Sequence, residues 1–255
     1  MGLHVQQVGQ GPDVALVHGW AFNGRVWRDL VASLMQDFRV TVVDLPGHGR
    51  SPEMPGAYTM ETLAQQVLAL FQRPVTWVGW SLGAMVGLAA ACLPHTAIAR
   101  MVLIGATPRF ARGPDWAHGL APAQLREFAE ALERDCRGTL VRFLSLHLGQ
   151  ERDARALLRR LRGDMFAGEP AAPGALRAGL AVLQHADLRS VVSSIAVPVQ
   201  LIHGERDKLV PLAAAEYLAA RLPTARLETI PACGHAPFLS HRQRVEQTLL
   251  RFLHE

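Results

Sequence analysis

A serine, a carboxylate and a histidine, met in that chain order, are the residue types of nucleophilic acyl transfer. The serine is Ser81, within Gly79-Trp80-Ser81-Leu82-Gly83. An apolar, largely β-branched run, Val75-Thr76-Trp77-Val78, precedes it, and an alanine-rich stretch from Ala84 to Cys92 follows. This context predicts a strand, a sharp turn and a helix. Only glycines leave room for the backbone on either side of such a turn, and the hydroxyl is held at the tip of a sheet. The helix N-terminus behind it favours negative charge.

The acid and the base follow. Val199-Gln200-Leu201-Ile202-His203 reads as a strand, and Gly204-Glu205-Arg206-Asp207 as the turn that leaves Asp207 at its carboxyl end. A further strand, Arg226 to Ile230, leads into Pro231-Ala232-Cys233-Gly234-His235-Ala236-Pro237, a punctuated loop that carries His235. Ligands of open α/β sheets gather at the carboxyl edge, so Ser81, Asp207 and His235 are expected to converge there. An imidazole removes a hydroxyl proton near neutrality, and the carboxylate fixes its tautomer. An oxyanion site is also required. After the first strand, Val14 to Val17, the chain reads His18-Gly19-Trp20-Ala21-Phe22. The main-chain N–H of Trp20 is expected to pair with that of Leu82, the residue after the nucleophile.

These motifs resemble those of the α/β-hydrolase superfamily over nearly the whole chain. The marks are His18-Gly19, Asp44-Leu45-Pro46-Gly47-His48-Gly49-Arg50-Ser51, the serine turn, the acid turn and the histidine loop. More narrowly, His18-Gly19-Trp20, Val43 to Gly47, the Trp80-Ser81 pair, Arg142-Phe143-Leu144 and His235-Ala236-Pro237-Phe238 look like the carboxylesterases of biotin synthesis. The resemblance implies an α/β-hydrolase fold, a mostly parallel central sheet flanked by helices with an inserted helical cap. It implies a serine esterase that removes the methyl ester from a pimeloyl group on an acyl carrier protein.

Chain organisation agrees with that expectation. Residues 1–107 alternate strand-like and helix-like patterns, and strands return within 187–255, which together predict the core. Between them, 108–186 lacks a strand signal and is read as the cap, with helices broken at Gly113-Pro114, Gly163-Asp164, Pro170 and Pro173-Gly174. At 255 residues one α/β domain can bury a large core. No apolar run is long enough to span a membrane, and the start has no signal region, so a cytoplasmic monomer is expected. Cys92, Cys136 and Cys233 are widely spaced and show no metal-ligand or redox pairing. No metal or organic cofactor is called for, and no nucleic acid or membrane partner.

The net charge is +4, and Lys208 is the only lysine. Arginine-rich composition and an acidic partner are competing explanations. In the cap, Arg152, Arg155, Arg159 and Arg162 recur at spacing that puts them on one helical face, with Leu157, Leu158, Leu161 and Met165 opposite. From Arg137 to Arg162 seven arginines stand against Glu151 and Asp153. A solvated face is one reading. The resemblance supplies the other: docking of an acidic carrier protein on Arg137, Arg142, Arg152, Arg155 and Arg159.

Trp20, Trp80, Leu82, Phe110, Trp116 and Phe143 are candidate walls of an acyl channel. For Trp20 and Trp80 a pocket role is favoured; for Phe110, Trp116 and Phe143 ordinary cap packing is favoured, with a pocket role second. His18 and Asp44 are read as ties between loops, His48 as a turn residue, His203 as a core histidine, Asp187 as a helix cap and Glu205 as a solvated turn residue. Alternatives to the carrier-linked esterase are a short-chain carboxylesterase, a carbon–carbon bond hydrolase with the same triad, and a hydrolase-fold receptor without turnover. Serine at position 81 argues against branches whose nucleophile is a carboxylate.

Overall fold

The computed structural model describes residues 2–148 and 153–255. Among these, seven strands form one sheet: β1 Val5–Val8, β2 Asp13–Val17, β3 Arg39–Val43, β4 Val75–Trp80, β5 Ile98–Ile104, β6 Val199–Gly204 and β7 Ala225–Ile230. Their spatial order is β1-β3-β2-β4-β5-β6-β7. All pairs are parallel except β1–β3. Every residue of β2 and β6 is buried, as continuous apolar runs must be in a sheet covered on both faces. Of their polar residues, Asp13 is neutralised by Arg39 at 2.6 Å and Arg73 at 3.3 Å, while Gln200 and His203 donate to the main-chain oxygens of Leu201 and Val210.

Val14 to Val17 is not the first strand, because β1 precedes it along the edge of β3, with Val5 opposite Val43. β1 is mostly exposed and paired on one side, so its Val-Gln-Gln-Val sequence has little apolar signal.

The helices are α1 Arg28–Leu34, α2 Met60–Leu68, α3 Leu82–Ala91, α4 Pro122–Arg134, α5 Cys136–Leu144, α6 Ala154–Phe166, α7 Pro173–His185, α8 Leu212–Arg221, α9 Pro237–Ser240 and α10 Arg242–His254. α3 is buried on all sides from Leu82 to Ala90, which its alanines and glycines permit. Four helices, α4 to α7, lie between β5 and β6. Their base is closed where the chain leaves and rejoins the sheet. Leu188 N–H donates to Pro108 O at 2.9 Å, and Arg109 bridges Asp187. Arg109 and Arg189 pair there with Asp115 and Asp187. Asp187 is therefore part of this clamp, not a helix cap: α7 has already ended at His185.

In α6 the apolar stripe predicted from spacing is the buried one. Leu157, Leu161 and Met165 face inward, whereas Arg155, Arg159 and Arg162 are exposed. Arg160 leaves that patch, because its Nη1 pairs with Asp29 of α1 at 2.6 Å.

Strand register positions the loops. Val17 lies opposite Gly79, Trp80 opposite Ile104, Ile104 opposite Ile202, and Gly204 opposite Ile230. Five strands, β2, β4, β5, β6 and β7, thus end within a few residues of one another at one edge, and the residues that follow each of them share that edge. No helix among the described residues is long and apolar enough to cross a membrane.

Candidate active site

Ser81 sits at φ 55° and ψ −114°, in the left-handed region that a side chain rarely adopts. Its N–H donates to Ile104 O at 2.9 Å, which fixes the turn to the neighbouring strand. Close approach explains the two flanking glycines. A Cβ on Gly79 would meet Ala84 N at 2.7 Å, and one on Gly83 would overlap the carbonyls of Val17 and His18.

The histidine loop reaches the same point. Gly105, next after Ile104, lies under the His235 ring: a Cβ there would come within 3.0 Å of Nδ1. Trp80, beside Ser81, donates its indole N–H to His235 O at 2.8 Å. His235 Nδ1 donates to Asp207 Oδ2 at 2.6 Å, and both side chains are fully buried. This leaves Nε2 as the basic nitrogen, buried and with no hydrogen-bond partner. Asp207 Oδ1 accepts the N–H groups of Leu209 and Val210, each at 2.9 Å. Burial pushes the Asp207 carboxyl up, but the charge and hydrogen bond of His235 outweigh it and hold the group below its ordinary value.

The loop after β2 packs against the serine turn. A Cβ on Gly19 would lie 3.2 Å from Ser81 Cβ. No acceptor within the described residues takes the N–H of Trp20, and Leu82 N–H opens α3 without one. Two free main-chain donors therefore flank the serine. The loop is held from behind by His18, whose Nδ1 donates to Gly19 O while Nε2 accepts Leu45 N–H at 3.0 Å. Asp44 accepts Gly24 N–H at 2.6 Å and Arg50 N–H at 3.1 Å, tying adjacent loops. His48 donates to Pro46 O, and His203, within β6, donates Nε2–H to Val210 O at 2.8 Å.

A cavity of about 170 Å³ opens above Ser81, between the sheet edge and the insertion. Trp20, Trp80, Phe110 and Phe143 line it, with Leu125, Phe128, Leu180 and Leu183 from the helices above. The Trp20 indole N–H donates to Leu176 O of α7 at 3.0 Å, and its ring meets Phe128 and Phe143 edge-on. Trp116 lies outside this lining. Its ring packs on Tyr217 and its N–H donates to Arg109 O, so it belongs to the base of the insertion. The Leu82 side chain is buried beneath the cavity and also absent from its lining.

His147 is a participant the sequence reading missed. It is buried in the turn after α5, its carbonyl accepts His235 N–H at 2.9 Å, and its ring stands 5.4 Å from the His235 ring. Burial, then the charge of His235, pushes its imidazole down to about 3, so it is neutral, with Nδ1–H on Phe143 O. Ser145-Leu146-His147 carries no motif, and only the folded contact reveals it.

On the outer face, Arg137, Arg142, Arg155 and Arg159 are all exposed. The Arg137 guanidinium stacks 4.5 Å over Phe166 of α6, which ties α5 to the end of that helix. Arg142 donates to Thr139 Oγ1 at 2.8 Å. Arg152 falls outside the described residues. Among those described, no group of three His, Cys, Asp or Glu side chains could hold a metal ion.

Residues 12–242 match the α/β-hydrolase fold family. A pimeloyl-[acyl-carrier protein] methyl ester esterase of Methylococcus capsulatus is 42% identical over 99% of both chains. The protein of the same name from Nitrosomonas europaea is 40% identical, over 93% of this chain and 94% of its own. An esterase from Exiguobacterium antarcticum superposes with a TM-score of 0.91 over 99% of this chain and 96% of its own, at 23% identity, a likeness of fold. The chain belongs to the α/β-hydrolase family, in the branch that holds these methyl ester esterases.

Proposed function

We propose that this protein is a serine carboxylesterase that hydrolyses the methyl ester of a pimeloyl group carried on acyl carrier protein. The observation that carries the reading is the buried pair of His235 and Asp207 at 2.6 Å, with a partnerless Nε2, beside a serine held in a strained turn. Full-length similarity to esterases named for that substrate supports the choice of ester.

In this reading Ser81 Oγ attacks the ester carbonyl and gives its proton to His235 Nε2. The oxygen that becomes negative is held by the N–H groups of Trp20 and Leu82. Loss of one such donor typically costs about 3 kcal/mol of barrier. Methanol leaves with the proton from His235, and water, activated by the same nitrogen, releases the acyl group from Ser81. Asp207 keeps the proton on Nδ1 and stabilises the imidazolium.

The insertion, 108–186, acts as a cap over the acyl chain, which lies along Trp20, Trp80, Phe110 and Phe143. The acidic carrier docks on Arg137, Arg142, Arg155 and Arg159, and the arm reaches inward from there. No cofactor takes part.

Turnover of p-nitrophenyl butyrate, with mass spectrometry after a fluorophosphonate probe, tests the chemistry. Label on the Ser81 peptide and no turnover in Ser81→Ala are expected. Undiminished turnover in that variant would refute the nucleophile.

A further inference from the structure

We infer that Lys208 forms an anion subsite at the mouth of the acyl cavity, so that the enzyme also hydrolyses free half-esters of dicarboxylic acids, with the remote carboxylate on the ammonium and the ester at Ser81. The inference rests on the serine-esterase reading above.

Among 26 basic residues, Lys208 is the one lysine. It lines the same cavity as Ser81 yet is exposed, which places it at the opening, where a lysine can lay its stem on an apolar wall and keep its ammonium in water. The carboxylates nearest in sequence are engaged elsewhere. Asp207 is taken by His235 and two backbone N–H groups, and Glu205 accepts Ala232 N–H and sits 3.9 Å from Arg206. No ion pair within the described residues consumes the Lys208 charge. From the other side, Gln124 of α4 lines the cavity and is exposed; its Oε1 accepts Ala121 N–H, which leaves the amide N–H groups to donate outward.

The remaining walls are apolar apart from Ser81 and His147. A carboxylate on an acyl chain seated there is therefore stabilised only at this rim, since deeper burial would leave it unpaired. A lysine is a mobile point charge and tolerates several chain lengths, where a rigid guanidinium fork would select one. The reaction needs only water: the ester C–O bond breaks, methanol leaves, and the new carboxylate releases one proton.

The test compares monomethyl with dimethyl esters of succinic to azelaic acids, followed by proton release near neutral pH. The full chain, K208R and K208M are assayed. The half-ester to diester ratio of kcat/KM should fall roughly three- to tenfold in K208M across the series, be kept by K208R over a narrower range of chain lengths, and converge in high salt. Acetylation, which has no other side-chain amine to modify, should reproduce K208M. A ratio indifferent to residue 208 would overturn the inference while Ser81-dependent diester turnover left the esterase reading standing. No turnover of either ester would overturn both.

Discussion

At the residue scale, the proposed chemistry turns on one ring nitrogen. His235 can accept a proton on Nε2 only while Asp207 holds the other proton on Nδ1. Asp207→Asn should therefore lower kcat by about 10³- to 10⁴-fold, with a folded protein by circular dichroism. A fall of less than tenfold would remove Asp207 from this role. Trp80 works through the same ring, because its indole N–H holds His235 O. Trp80→Phe should reduce kcat on p-nitrophenyl butyrate roughly tenfold and cost about 1 kcal/mol of stability, the usual worth of one hydrogen bond. Equal kcat in both proteins would show that the contact is only packing. Ser81, Asp207 and His235 were legible in sequence because each follows a strand and local glycines and prolines mark the turns. His147 was not, nor was the split that puts Phe110 and Phe143 in the cavity wall and leaves Trp116 to packing. Their parts depend on which wall of a helical insertion each one faces, and aromatic residues buried on several sides leave no periodic signal of that.

At the element scale, α6 has two charged faces with opposite duties. The exposed face carries Arg155 and Arg159, which the proposal assigns to the carrier. Reversing both to glutamate should cut kcat/KM on the carrier-bound ester at least tenfold more than on p-nitrophenyl butyrate, and the gap should close in high salt. Equal losses on both substrates would dismiss the docking face. The inner face holds Arg160 and Asp164 against Asp29 and Arg28 of α1. Burial raises the Asp164 carboxyl despite the arginines, and its Oδ2 lacks a hydrogen-bond partner. Arg160→Met should thus destabilise by about 1–2 kcal/mol, whereas Asp164→Asn should be neutral or stabilising near pH 7. Urea titration of both variants checks the pair; destabilisation by Asp164→Asn would contradict it. The leucine spacing of α6 predicted its buried stripe, but not that Arg160 departs from the arginine patch, since the partner Asp29 is 131 residues away. β1 was missed for a related reason: an exposed edge strand has no apolar face to reveal it.

At the scale of the whole molecule, four buried histidines, His18, His48, His147 and His203, are driven below the ordinary imidazole value, in each case chiefly by burial. His48 and His147 are pushed down to about 3. The unfolded chain therefore binds more protons than the folded one below about pH 6.5. Their contribution to stability is complete above that pH and is lost as pH falls towards the folded values, by about 1.4 kcal/mol per unit for each group. Tm should drop steeply between pH 6.5 and 4, and His48→Gln should flatten the slope; a profile flat over that range would contradict the neutral histidine core. The same molecule joins an apolar cavity above Ser81 to an arginine face on its insertion, and in the proposed function one substrate uses both. The most direct test is hydrolysis of pimeloyl-acyl-carrier-protein methyl ester across a salt series, with Ser81→Ala and p-nitrophenyl butyrate alongside. Fast, Ser81-dependent and salt-sensitive cleavage of the carrier-bound ester is expected beside salt-indifferent cleavage of the small one. Turnover of the small ester alone would contradict the proposed function.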